Sequence, residues 1–340
     1  MEIIITSIVL VIIGGALNGS FAIPMKHMPN IKEDKLWFVF SWWGFLIIPL
    51  ITFFILDSNF IKIIFLVPPS YIIIPLLGGI FWGFGMIFMS LAFRYIGIGA
   101  VFVINIGIGT AGGALLPLVF IHPDKLFTTF GGLITIGVIL FIIGVISASI
   151  AAKIRDKAAN DKDMSSNHSI KGVIFSIIAG FTSAFQGFSY AYGASGYLTE
   201  NLLSQHNSLL LTNLPWCLIF IGGFFPYMIY FLIQSKKKKA TSQKSEYKIS
   251  FINHILIVIM GLLYFECVIF YSKATLLLGA LGPIIIWPIY MVFIVITSNF
   301  WGFMYGEWKG SPAHSRKIIL SAIGCQLIAV VVLAIAAFIN

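Results

Sequence analysis

Glu266 is the residue that most needs a chemical explanation. It lies well inside an apolar run, 251–272, whereas most of the other eleven acidic residues fall in loops or at the ends of such runs. A carboxyl group surrounded by apolar side chains is costly and is a functional candidate by default. The chemistry open to it is to take up and release a proton, and so to couple proton movement to that of a substrate. Lys273 follows seven residues on, two turns along the same helical face, close enough to neutralise it in part. The structural alternative is a neutral glutamic acid held by a hydrogen bond between helices, or one snorkelling outward with Lys273.

A second group of residues suits recognition of a polyol. Asn18, Ser20, Asn105, Ser183, Gln186, Ser189, Tyr190, Tyr192, Asn213, Trp216, Tyr264, Trp287, Tyr290 and Asn299 all interrupt apolar runs. A sugar needs amide and hydroxyl partners for its ring hydroxyls and an aromatic face for its C–H side. From this group Asn18, Asn105, Gln186, Tyr190, Asn213, Tyr264, Trp287 and Tyr290 are the substrate-binding candidates. The structural alternative is that the amides and hydroxyls bond neighbouring helices while the Trp and Tyr rings sit at membrane interfaces.

Catalytic constellations are missing from the sequence. There is no HExxH, phosphate loop, paired-cysteine motif or nucleophile elbow. The six histidines fall in loops or near the ends of apolar runs, and Cys217, Cys267 and Cys325 each lie within one, as small packing residues would. Neither a metal site nor a cofactor is expected.

The elements that must position these residues follow from composition. Hydrophobic residues make up 59% of 340 and charged residues only 10%, with mean hydropathy +1.01. A soluble chain is nearer 45–50% apolar and about a quarter charged, so lipid is the solvent for most of this one. Ten runs of spanning length stand at 3–23, 36–56, 71–93, 97–120, 130–150, 170–193, 208–233, 251–272, 281–304 and 317–338. None alternates as a barrel strand would, so the fold class is an all-α polytopic membrane protein. Ten spans leave no room for a separate soluble domain. The first run has Met1-Glu2 in front of it and reads as a retained helix, not a secretory signal.

The net charge of +9 reads as orientation. Of the 21 Lys and Arg, 18 fall in the loops after the first, third, fifth, seventh and ninth spans. Basic loops stay cytoplasmic, so both termini are expected outside. The stretches Lys153–Ser169 and Gln234–Lys248 read as inner topology anchors, and nucleic acid is not an expected partner.

Lys153–Ser169 also divides the spans into five and five, giving a first repeat over 1–152, a cytoplasmic linker over 153–169 and a second repeat over 170–340. An odd number of spans per half inverts the second half, as in many secondary transporters. Shifting the sequence by 182 residues lays Gly79–Gly97 over Gly261–Gly279 with six identities, among them Gly79/Gly261 and Ser90/Ser272. Pro49 and Pro226 each stand seven residues before the end of their span. Gly-x-x-x-Gly pairs at 15/19, 79/83, 109/113, 302/306 and 306/310 are each expected to allow close helix packing and nothing more.

Taken in order, GSFAIPMK (19–26), FWGFG (81–85), FRYIG (93–97), NIGIGTAGGALLPL (105–118) and GEWKG (306–310) resemble the L-rhamnose–proton symporter family of the drug/metabolite transporter superfamily. The resemblance runs in order and spacing from the first span to the tenth. It implies a bacterial inner-membrane sugar carrier driven by the proton gradient. On the matching positions it draws attention to Lys26, Arg94, Glu307 and Lys309, which are expected to be inner-surface anchors or gate ion pairs.

The expectation is therefore proton-coupled import of a small, rhamnose-like monosaccharide by alternating access, with sugar, protons and the bilayer as partners and Glu266 as the coupling candidate. The alternative is an exporter of a small metabolite or amino acid. A membrane enzyme is disfavoured because the inner loops lack paired carboxylates.

Overall fold

The computed structural model describes residues 1–28, 31, 33–58, 60–159, 170–194, 208–240 and 249–339. Ten helical stretches there are long and apolar enough to cross a membrane: Glu2–His27, Lys35–Leu56, Ser70–Ala92, Val101–Phe120, Thr129–Arg155, Ile170–Ala194, Ser208–Gln234, Phe251–Leu277, Gly279–Met304 and Ala313–Ile339. We number them spans 1 to 10. No strand occurs among the described residues. The protein is an all-helical, multi-pass membrane protein, as composition and the absence of alternation predict.

Three boundaries differ from the sequence reading. The helix of span 5 continues to Ala159, into the stretch 153–169 expected as a linker, whose remainder lies outside the described residues. The helix of span 7 likewise continues through the lysine run to Ala240. The third difference lies between spans 3 and 4, where Ser70–Phe120 is helical throughout. At 1.5 Å per residue a straight helix of that length would be about 75 Å, far beyond a bilayer. It is not straight. Gly85 lies against Thr182 and Gly109 against Ser183, neighbouring residues of span 6. The two arms therefore run side by side in opposite directions, and the chain reverses within about 93–100.

Close approaches at small residues set the packing. Span 6 runs antiparallel to span 3, with Phe81 on Phe185 and Phe88 on Phe175, and parallel to span 4, with Gly180 on Ile108 and Gly112 on Ala184. Span 1 has the matching pair of neighbours. It runs antiparallel to span 8, with Gly14 at Phe270 and Asn18 at Cys267, and parallel to span 9, with Gly15 at Phe293 and Gly19 at Thr297. Span 3 crosses span 7 at Gly79 and Gly222; span 8 crosses span 2 at Gly261 and Gly44. Span 5 lies antiparallel to span 10 through Gly144 at Gln326 and Gly137 at Leu333. Ile136, Ile139, Ile143, Ile146 and Ile150, at helical spacing, form the exposed stripe of span 5, where lipid is the only solvent an isoleucine row suits.

Two helix irregularities flank the core. Span 2 contains a π-turn over Trp43–Ile47, followed by Pro49 inside the helix that resumes; such bulges mark functional sites more often than chance. Gly306 and Gly310 have φ of +74° and +79°. The pairs 302/306 and 306/310 are thus not helix-packing motifs; Gly306 and Gly310 shape the turns of GEWKG, which only glycine makes without strain.

Candidate functional site

The centre of the protein is aromatic and buried. Tyr190 of span 6 stacks on Trp216 of span 7 with centroids 4.8 Å apart, and Trp216 lies nearly parallel to Trp287 of span 9 at 6.2 Å. Tyr271 of span 8 presents its ring at a steep angle to Tyr190, Trp216 and Trp287. These geometries match the ring quadrupole's preference for offset and edge contacts. All four rings are almost fully buried, so their polar tips need partners. Tyr190 Oη donates to Ser272 Oγ at 3.3 Å. Trp287 Nε1 donates to the carbonyl of Gly109 at 3.2 Å. Trp287 reaches span 4 because Gly113 carries no side chain; a Cβ there would overlap the indole.

Next to the rings stands a polar hub built on Cys267. Asn18 Nδ2 donates to its Sγ at 3.3 Å, Tyr290 Oη lies 3.0 Å away, and the thiol reaches the Tyr264 carbonyl at 2.9 Å. One sulfur thus ties spans 1, 8 and 9 together. Cys267 is buried, as its apolar run implies, and carries a polar role that run does not announce. Tyr264 belongs to a different group, packed among Phe21, Phe40, Phe45 and Phe220.

Of the eight substrate-binding candidates, Asn18 and Tyr290 meet at the hub, and Tyr190 and Trp287 join the ring cluster. Asn213 is fully buried, with its Nδ2 donating to the carbonyl of Leu209 at 2.8 Å. Asn105 and Gln186 are buried on the spans that line Trp287: Asn105 stands one turn before Gly109, and Gln186 beside Gly187. Tyr264 stands apart. Tyr271, Cys267 and Ser272 extend the set. Their signal is in the sequence, because Tyr264, Cys267, Tyr271 and Thr275 recur at three- and four-residue spacing along one face of span 8.

Glu266 lies outside the hub, although Cys267 is its neighbour in the chain. It aligns with the outward stripe of Ile255, Ile259, Leu262 and Lys273, and Thr52 Oγ1 of span 2 donates to its Oε1 at 2.7 Å. The carboxylate therefore sits in the seam between spans 2 and 8, half-buried, with Lys273 exposed two turns away.

At the end of the bundle that carries the basic loops, Glu307 accepts from two cations. Lys26 Nζ approaches Oε1 at 2.6 Å and Arg155 approaches Oε2 at 3.4 Å. Each cation also lies over an aromatic ring, Lys26 over Tyr305 at 4.4 Å and Arg155 over Trp308 at 4.8 Å. This cluster joins the ends of spans 1, 5 and 9. Lys26 and Glu307, two of the gate or anchor candidates, are thus brought together as an ion pair; Arg155 is an addition, obscured in the sequence by the charged stretch around it. Lys309 is exposed, and the side chain of Arg94 lies outside the described residues.

Aromatic faces, amides, hydroxyls and a thiol thus meet in the core of a ten-span helical bundle, and in class the protein is a polytopic membrane protein. A family model described as L-rhamnose-proton symport protein (RhaT) matches residues 1–339. The chain belongs to that family, which is one of transporters and not of enzymes. It is 27% identical over 326 residues to the L-rhamnose-proton symporter of Escherichia coli O17:K52:H18, covering 94% of this chain and 93% of the relative. The L-rhamnose-proton symporter of Shigella boydii serotype 18 is similar to the same extent.

Proposed function

We propose that this chain is a symporter that brings a small sugar, L-rhamnose or a closely similar monosaccharide, across the bacterial inner membrane together with protons. Membership of the family over the whole length of the chain carries this reading. The central ring cluster and the Cys267 hub support it, since they supply the C–H faces and polar partners that a monosaccharide requires.

Transport proceeds by alternating access between two inverted five-helix halves, residues 1–152 and 170–340, joined by 153–169. The packing pattern supports this division. Span 1 has spans 8 and 9 as its antiparallel and parallel neighbours, and span 6 has spans 3 and 4 in the same two relations. The Gly79–Gly222 crossing has its counterpart in Gly261–Gly44. Both termini face outward, as the distribution of basic residues implies. Lys26, Glu307 and Arg155 then close the cytoplasmic side, with Arg94 and Lys309 as surface anchors. Glu266 takes the coupling proton, and its bond to Thr52 links that event to span 2. No resident cofactor takes part.

The test is uptake into proteoliposomes across a sugar panel with an imposed inward proton gradient. The reading requires gradient-driven accumulation of L-rhamnose or a near relative. Accumulation of no monosaccharide, or efflux of an amino acid instead, overturns it.

A further inference from the structure

Span 7 carries two buried polar atoms that have no hydrogen-bond partner among the described residues, Trp216 Nε1 and Asn213 Oδ1. The two residues are 3% and 0% exposed. They stand three residues apart, on neighbouring positions of one helix face. Their polarities are complementary: an indole N–H only donates, and with Asn213 Nδ2 already bonded to Leu209, the remaining Oδ1 only accepts. Between them stands Pro215, inside the helix. It has no N–H, so the carbonyl of Leu211, itself buried, loses its helical partner. One turn therefore concentrates a free donor, a free acceptor and a backbone carbonyl without its helical donor. Most buried polar groups are paired, and the neighbouring Tyr190 and Trp287 follow that rule through Ser272 and Gly109. Backbone groups freed within membrane helices are among the partners that transporters offer their substrates.

We infer that the Asn213–Trp216 turn reads two hydroxyl groups of the transported sugar: the Trp216 indole N–H donates to one, and Asn213 Oδ1 accepts from its neighbour. A vicinal diol offers that pair of complementary groups, and the rings stacked on Trp216 supply the apolar face beside it. Trp216 is thereby a specificity-determining residue, because a site built to bond a hydroxyl rejects the analogue that lacks it. The inference rests on the sugar-transport reading.

The experiment measures KM for proton-driven L-rhamnose uptake in proteoliposomes, then competition by the monodeoxy analogues of L-rhamnose. The proteins are wild type, Trp216→Phe, which keeps a ring and removes the N–H, and Asn213→Leu, which keeps the volume and removes the acceptor. Loss of one neutral hydrogen bond should raise KM roughly three- to tenfold in each variant. One deoxy analogue should compete equally well against wild type and Trp216→Phe, and a different one should do so for Asn213→Leu. An unchanged KM in both variants, or an equal penalty across every analogue, overturns the inference and leaves the transport reading standing. A wild type that accumulates no sugar overturns both. If Trp216→Phe is not recovered as monodisperse protein, Asn213→Leu with its analogue series decides the matter.

Discussion

Lys26 and Glu307 lie 281 positions apart in sequence, yet their charged groups meet at 2.6 Å. Arg155 completes the cluster from a third helix end. All three groups are partly exposed, where water screens an ion pair to about 1 kcal/mol or less. An interaction of that size does little for folding and is well suited to opening and closing.

That weak pair predicts a split between stability and transport. Glu307→Lys should move thermal unfolding in detergent by only a few degrees, because about 1 kcal/mol is at stake. It should nevertheless abolish uptake, by placing three cations together. The exchange Lys26→Glu with Glu307→Lys should recover part of the uptake, limited by Arg155. Uptake that stays lost in the double variant, or full activity in the single one, removes the cluster from the gating cycle.

Glu266 and Thr52 separate coupling from binding. Glu266→Gln keeps the shape and the hydrogen bond to Thr52 while removing the charge. It should abolish gradient-driven accumulation and leave counterflow exchange of the sugar intact. Thr52→Val removes the hydroxyl that donates to that carboxylate, and should shift the pH dependence of uptake while retaining coupled transport. Accumulation unaltered in Glu266→Gln vesicles excludes the residue from coupling.

The buried amides Asn105 and Gln186 flank the wall that Trp287 closes. Alanine at either should raise the apparent KM for the transported sugar by about tenfold if each loses a hydrogen bond to it. Sugar kinetics that match wild type in both variants assign the two residues to helix packing.

The paired glycine crossings differ in their tolerance. A Cβ on Gly79 would overlap the carbonyl of Ile219, which is backbone, whereas on Gly261 its nearest neighbour is Ile48 Cδ1 at 2.8 Å, the flexible end of a side chain. Gly79→Ala should therefore cost about 3 kcal/mol or prevent folding, and Gly261→Ala about 1 kcal/mol or less. Thermal unfolding of the purified variants checks the order; equal losses would mean that the two crossings yield alike.

Much of the architecture is legible in the chain because the bilayer imposes a simple rule. Apolar runs of fixed length must be helices, and each of the ten expected runs has its helix. Even the reversal between spans 3 and 4 falls where the basic residue Arg94 marks a membrane surface. The glycines at 15, 19, 79, 83, 109 and 113 lie at close helix contacts, but the same spacing at 302, 306 and 310 does not, because a positive φ leaves no trace in spacing alone. The polar candidates were visible as costly exceptions in an apolar alphabet, and the face of span 8 through Cys267 and Tyr271 could have been read from its periodicity.

What the sequence by itself determined is the solvent, the number of spans, the side that carries the positive charge and the short list of residues too polar for lipid without a reason. Those properties are local, set by the transfer cost of each segment. Only the tertiary structure decided that Cys267 joins Asn18 to Tyr290, that Glu266 turns away from them toward Thr52, that Arg155 shares Glu307 with Lys26, and that Trp216 lies between Tyr190 and Trp287. Each is a contact between segments far apart in the chain. Its partner is chosen by how ridges and glycine grooves fit together, and a hydropathy pattern is the same for every face that lipid or another helix can cover.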